Sequence, residues 1–220
     1  MSIKKTELIT CPDCGKKSEF VIWKSLNSQL NPEAKADMLS GKLFQFICPH
    51  CHSSHNVDYG FLYHQMEDQI MIQYSTTDEN VEEGIESFEK MTNGNFIGLP
   101  AMDVDYTFRI VRSQNSLREK VYIFDNGLDD RVIEIMKVFM MSKLLESNPN
   151  LEIEDMYLEM TEGGPKSFAI RLSDGKWGST DYAQDLYDLV KNEVLANADD
   201  GKKEYVVDFN WAMNKLKEGR

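Results

Sequence analysis

All four cysteines of this 220-residue chain fall in two copies of one frame. Cys11-Pro12-Asp13-Cys14-Gly15 returns in altered form as Cys48-Pro49-His50-Cys51-His52. Two residues between the cysteines let a tight turn aim both sulfurs at one point. Proline in the second position fixes φ and stiffens that turn. Glycine after the second cysteine admits a positive φ, so backbone amides can face the sulfurs. A tetrahedral Zn²⁺ site takes four thiolates, two from each of two converging turns. The pattern therefore predicts a structural Zn²⁺ held by Cys11, Cys14, Cys48 and Cys51. Two rivals share these ligands: a redox Cys-x-x-Cys pair and an iron centre. The redox motif normally occurs singly on a thioredoxin-like order of elements, which this chain does not follow.

All four histidines lie in or soon after the second pair: His50, His52, His55 and His64. One of them replacing a cysteine would open a catalytic position. Four thiolates already saturate zinc, so the histidines read as neighbours of a closed site, with no metal-bound water to activate. The binding energy of such a site is folding energy.

The elements between the motifs must bring them together. The 33 residues from Cys14 to Cys48 exceed the compact ribbon spacing of about 15–20. They read as strand, helix and strand. Phe20–Trp23 is β-rich, Pro32 opens a helix that Gly41 closes, and 42–48 runs as a strand into Cys48. Two strands in 55–64 and 68–74 form a hairpin through "QMED". Val81, Ile85 and Phe88 repeat at helical spacing with acids on the other face. A loop is marked by Asn93-Gly94, Gly98 and Pro100, followed by a strand at 105–111 and a helix ending at Gly127. Residues 129–147 form the clearest helix, capped by Asp129 and stopped by Asn148-Pro149. It is apolar almost all round, which suits the middle of a core or an oligomer interface. Glu134, Lys137 and Lys143 interrupt it too often for a membrane span. Beyond Pro149 a β-β-α-β-α run is expected. It has a turn at Asp174-Gly175, an amphipathic helix with Leu186, Leu189, Val190 and Val194 on one side, and a short strand at 204–209.

The class is thus α+β. A zinc-ribbon-like β core, stapled by the four-cysteine site, carries packed helices over residues 1–148. A small C-terminal α+β appendage spans 150–220.

Composition bounds the function. The chain is 41% apolar and 28% charged, with net charge −13. An acidic surface repels phosphate backbones and disfavours nucleic acid. Residues 1–25 are the exception, with five lysines against three acids. Residues 76–100 carry six acids against one lysine, which reads as a solvated face. No apolar run reaches the roughly 18 residues of a membrane span. The N-terminus lacks an apolar signal core, which predicts a cytoplasmic chain whose thiols stay reduced.

The stretches "CPDCG", "SLNSQLNPEAKADMLSGKLFQFICPHC", "FLYH" and "LREKVYIFDNGLDDRVIEIMK" are similar to the bacterial CpXC-domain proteins, named for two Cys-Pro-x-Cys motifs. The resemblance covers roughly residues 9–145. It implies a zinc-binding domain with Cys11, Cys14, Cys48 and Cys51 as ligands and no assigned activity. His52 stands where such knuckles often carry glycine, and the tail from about 150 lies outside the resemblance.

No Gly-rich phosphate loop, HExxH or GxSxG occurs. Asp129, Asp130 and Glu134 cluster at a helix N-terminus, where acids are expected for dipole reasons. The leading expectation is a non-enzymatic, zinc-stabilised scaffold that binds another protein or itself. A nucleic-acid binder using Lys16, Lys17, Phe20, Trp23 and Lys24 is the alternative. A zinc-dependent hydrolase using a histidine comes behind both.

Overall fold

The computed structural model describes residues 2–93, 106–161 and 164–218. The chain is α+β and forms two compact units, Met1–Gln114 and Asn115–Arg220.

The first unit is built on a five-stranded sheet. β1 (Ile3–Thr10) pairs antiparallel with β2 (Lys17–Asn27). After α1 (Pro32–Leu39) and a 3₁₀ turn (Lys42–Phe44), β3 (Gln45–Ile47) and β4 (Ser54–Asn56) make a separate two-stranded hairpin. β5 (Phe61–Gln65) and β6 (Ile70–Tyr74) form the expected antiparallel hairpin. α2 (Asp78–Thr92) follows, and β7 (Thr107–Val111) closes the sheet in the order β1-β2-β5-β6-β7. β2 meets β5 in parallel only through Ser25–Asn27, and β6 lies parallel to β7. β6 and β7 are buried along most of their length, which matches their nearly unbroken apolar sequence.

α2 begins at Thr77, whose hydroxyl accepts the Asn80 amide at 3.2 Å. It presses Phe88 onto Phe108, with ring centroids 4.8 Å apart. Among the loop markers at 93–100, Asn93 caps α2, and the rest lie outside the described residues.

The second unit opens with α3 (Gln114–Asp125) and α4 (Asp130–Ser147). Gly127 turns left-handed between them (φ 65°), and Asp129 caps α4 by accepting the Arg131 amide at 2.9 Å. β8 (Ile153–Thr161), β9 (Gly164–Leu172) and β10 (Trp177–Asp181) form an antiparallel sheet in the order β10-β9-β8. α5 (Gln184–Leu189) runs into a π turn (Val190–Val194), and α6 (Phe209–Glu218) ends the described chain.

The compact units depart from the expected division at 148/150. The core of the second unit is made jointly by Val132, Ile133, Ile135 and Met136 of α4 and by Met156, Leu158, Phe168 and Ile170 of β8 and β9. Among the described residues the tail shares its apolar core with α4. Within it the order is three strands and two helices rather than β-β-α-β-α. The strand expected at 204–209 is absent: 204–207 is irregular and Phe209 begins α6. In α5 and its π turn the buried side chains are Tyr187 and Val190, whereas Leu189 and Val194 are exposed. The π turn shifts the facing of residues that an unbroken helix would align.

α4 is buried throughout its first two turns, from Asp130 to Lys137, and partly exposed beyond them. Its charged residues there are not surface interruptions. Lys120 of α3 lies 2.8 Å from Asp130 and 3.2 Å from Glu134. Lys137 lies 2.8 Å from Glu119 and 3.1 Å from Glu134. Glu119 also accepts the Leu158 amide at 2.6 Å. All five side chains are at most 5% exposed. Burial alone would favour neutral Lys137, but the flanking Glu119 and Glu134 outweigh it and hold the ammonium charged. Burial pushes the Glu119 carboxyl above its ordinary range against the pull of Lys137.

Candidate metal centre

Each cysteine pair sits on the turn of a hairpin. The first joins β1 to β2 and the second joins β3 to β4. The two turns have the same backbone construction. The Cys11 amide donates to the Lys16 carbonyl and the Gly15 amide to the Cys11 carbonyl, both at 2.9 Å. In the second turn the Cys48 amide donates to Ser53 and the His52 amide to Cys48, again at 2.9 Å. Gly15 has φ 72° and His52 φ 62°. His52 thus takes the left-handed position that glycine takes in the first turn, and the second knuckle closes without a glycine.

Convergence of the turns places the four sulfurs within 4.8 Å of one another. Cys11 Sγ is 3.7 Å from Cys51 Sγ, and Cys14 Sγ is 3.6 Å from Cys48 Sγ. None forms a disulfide, whose S–S bond would be about 2.05 Å. Four ligands at ~2.3 Å around a tetrahedral ion are separated by ~3.8 Å, the edge of the tetrahedron. The sulfur cage therefore fits one thiophilic tetrahedral ion, and these four residues could hold it.

The nearest pairs cross between the two turns, so an ion here would tie together segments far apart in sequence. Cys11 and Cys48 are fully buried, beside Phe46, Ile9, Phe20 and Val57. Cys14 and Cys51 face solvent.

A chain of aromatic rings anchors the knuckles to the sheet. Phe46 meets Phe20 edge-on at 6.0 Å, Phe20 meets Tyr59 at 6.3 Å, and Tyr59 meets Phe44 at 5.4 Å. Phe44 continues to Phe61 and Tyr74. This places β3 and β4 against β2 and β5, and so sets one sulfur pair against the other.

The electrostatics favour thiolates at two corners. The Ser53 hydroxyl and the Cys14 and Asp13 amides hold Cys11 down at about 5. The Ser53 hydroxyl and amide likewise lower Cys51. Cys14 receives the Lys16 amide, but burial and the surrounding sulfurs push it up to about 12. One cage cannot hold four adjacent negative sulfurs without a compensating charge, which a divalent cation could supply.

None of the histidines joins the sulfur cage. His55 is the closest, with Nε2 3.9 Å from Cys11 Sγ, 3.0 Å from Ser53 Oγ and 3.3 Å from Asp13 Oδ2. It braces both turns from outside. His50 and His52 are exposed, and His64 on β5 bonds the Tyr106 hydroxyl at 2.7 Å. Sequence reasoning missed Ser53, whose Oγ lies 3.0 Å from Cys51 Sγ and 3.4 Å from Cys11 Sγ. Its one signal is position: it stands five residues after Cys48, where the first turn has Lys16.

Of the residues expected to form a basic-aromatic surface, Lys16, Lys17 and Lys24 are exposed, Phe20 is half-buried and Trp23 is buried. Trp23 is only 8% exposed and lies beneath Lys4 Nζ, 5.3 Å from the ring centroid. Phe20 turns into the aromatic chain, which leaves Lys16, Lys17 and Lys24 without exposed rings. The acids at the start of α4 are also accounted for. Asp129 caps the helix and pairs with Arg131 at 2.7 Å, while Asp130 and Glu134 are buried against Lys120. Among the described residues no helix is long and apolar enough to cross a membrane.

The model of the family described as CpXC protein matches residues 9–137, more than half of the chain. No curated protein and no solved structure matches. The chain belongs to the CpXC family, and all four cysteines of the cage fall within the matched stretch.

Proposed function

We propose that this CpXC-family chain is a non-enzymatic scaffold whose first unit is stapled by one Zn²⁺ on Cys11, Cys14, Cys48 and Cys51, and that it works by binding protein. The observation that carries the reading is the sulfur cage. It provides four converging thiols with edges of 3.6–3.7 Å between the turns. Four thiolates leave no open position for water or substrate, so the ion holds structure and does no chemistry. The histidine nearest to it is already engaged with Ser53 and Asp13. Cytoplasmic reducing conditions would keep the thiols available to the metal.

Zinc is preferred over iron because a given site generally binds Zn²⁺ more tightly than Fe²⁺. The two differ visibly: zinc thiolate is colourless, whereas iron thiolate absorbs in the visible. Metal analysis of the purified chain should give one zinc per chain and no visible band. Cys11→Ser and Cys51→Ser should each lose zinc and fold stability together. Apparent structural-zinc binding is worth about 10 kcal/mol or more, against about 5–15 kcal/mol for a whole domain. Chelation should therefore lower the melting temperature sharply. An unchanged melt after complete metal removal would overturn the staple.

A further inference from the structure

We infer that β1 is a self-pairing edge, and that two copies of this chain join their five-stranded sheets across it in one antiparallel register centred on Thr6. The inference rests on the scaffold reading and gives it a partner, a second copy of the chain. β1 is eight residues long, lies at the edge of the sheet, and among the described residues pairs with β2 alone. Ile3 is 49% exposed and Leu8 66%. An edge of this length offers a row of amides and carbonyls to another strand unless its charges forbid pairing.

The ladder decides which groups are offered. The Cys11 amide bonds Lys16, and alternation back along the β1–β2 register turns Ile9, Glu7 and Lys5 toward β2. Lys4, Thr6 and Leu8 therefore direct their backbone groups outward. In a two-fold antiparallel pair these must meet each other. Centring on Thr6 sets Thr6 against Thr6 of the second copy, and Lys4 against Leu8 in both directions. The alternate positions then oppose Lys5 to Glu7 twice and Ile3 to Ile9 twice.

Other registers with the same backbone parity lose the Lys5–Glu7 pairing. Centring on Lys5 opposes two lysines, and centring on Glu7 opposes two glutamates. Centring on Leu8 sets Glu7 against Ile9. Within one chain Lys5 and Glu7 already form an ion pair on one face of β1, so the edge is self-complementary rather than uniformly repulsive. A two-fold interface requires this property. The metal centre bears on it directly, because β1 leads into Cys11 and the first knuckle holds the β1–β2 hairpin.

The test is a charge swap on the full chain, read by sedimentation over a concentration series with metal content measured on each sample. Wild type should show a reversible monomer–dimer equilibrium. Lys5→Glu and Glu7→Lys should each associate roughly tenfold or more weakly, since two attractive cross-strand pairs become repulsive. An equimolar mixture of the two variants should recover wild-type association, because each then meets opposite charge, and so should the double variant. Both side chains are nearly half exposed, so zinc content should not change. Wild type monomeric up to millimolar concentration would overturn the pairing, as would single variants that dimerise normally or a mixture that fails to recover. Such a result with zinc retained would leave the metal reading standing, and the two failures are thereby told apart.

Discussion

The second knuckle offers a sharp test of how the cage is built, because His52 occupies a conformation that glycine occupies in its twin. A left-handed φ costs a non-glycine residue about 1–2 kcal/mol. Glycine avoids this but loses about 0.5–1 kcal/mol more chain entropy on folding. With φ 62° at His52, His52→Gly should therefore stabilise the metal-loaded protein by about 0.5–1 kcal/mol. The reciprocal change isolates the backbone term. A Cβ at Gly15 would meet nothing within 4 Å, so Gly15→Ala is charged only for its φ of 72° and should cost about 1 kcal/mol.

The assay is urea unfolding of the zinc-loaded variants, read by the shift in midpoint at constant slope, with metal content checked beside it. Both variants should keep the metal, since the backbone groups that close the knuckles are unchanged. The reasoning is refuted if His52→Gly destabilises the protein or reduces its metal content. Either result would mean that the His52 side chain supports the site.

Two further perturbations address the rest of the fold. Lys137→Met takes from buried Glu119 the lysine it pairs with and from Glu134 one of two, and should cost about 3–5 kcal/mol in denaturant unfolding; a cost below about 1 kcal/mol would mean that the seam is not closed to water. Gly60→Ala places a Cβ 2.7 Å from the Tyr74 carbonyl oxygen where β5 meets β6, and should cost about 2 kcal/mol in the same assay, because backbone cannot give as a flexible side chain can; a neutral result would show that the start of β5 is free to shift.

What the sequence disclosed followed the strength of the local chemistry. The cysteine frames, the Pro32 and Gly41 boundaries of α1, and the Asp129 cap of α4 are short-range signals, and each lies where its residues direct it. β1 gives no alternating signal because an edge strand exposed over most of both faces need not alternate: "IKKTELIT" satisfies the ladder through its backbone and exposes its lysines. The failure at 204–207 has the opposite cause. "EYVVDF" has strand composition but no strand beside it in the described sheets. The apolar core runs across Asn148-Pro149, because a helix stop is local whereas a core is not. The apolar face of α4 is completed by β8 and β9, which lie beyond that stop.

The buried seam shows why a helix that reads as apolar all round carries charge where it is most enclosed. Asp130, Glu134 and Lys137 recur at spacings of four and three residues, which places them on one face of α4. That face meets Glu119 and Lys120 of α3, while the intervening Val132, Ile133, Ile135 and Met136 join the core with β8 and β9. The seam and the cysteine cage lie wholly within residues 9–137, and the family match ends at Lys137, the last charged residue of the seam. Beyond it α4 becomes partly exposed. A buried ion network adds little net stability over an apolar one, but it penalises any pairing that leaves a charge alone. On this argument the seam selects α3 as the neighbour of α4. With a metal bound as proposed, the cage would do the same for the two hairpins, since a thiolate left outside it would be a charge without a partner. In both units the same device would then operate: groups that are costly alone and satisfied only together hold segments that the apolar pattern by itself would leave free to pack elsewhere.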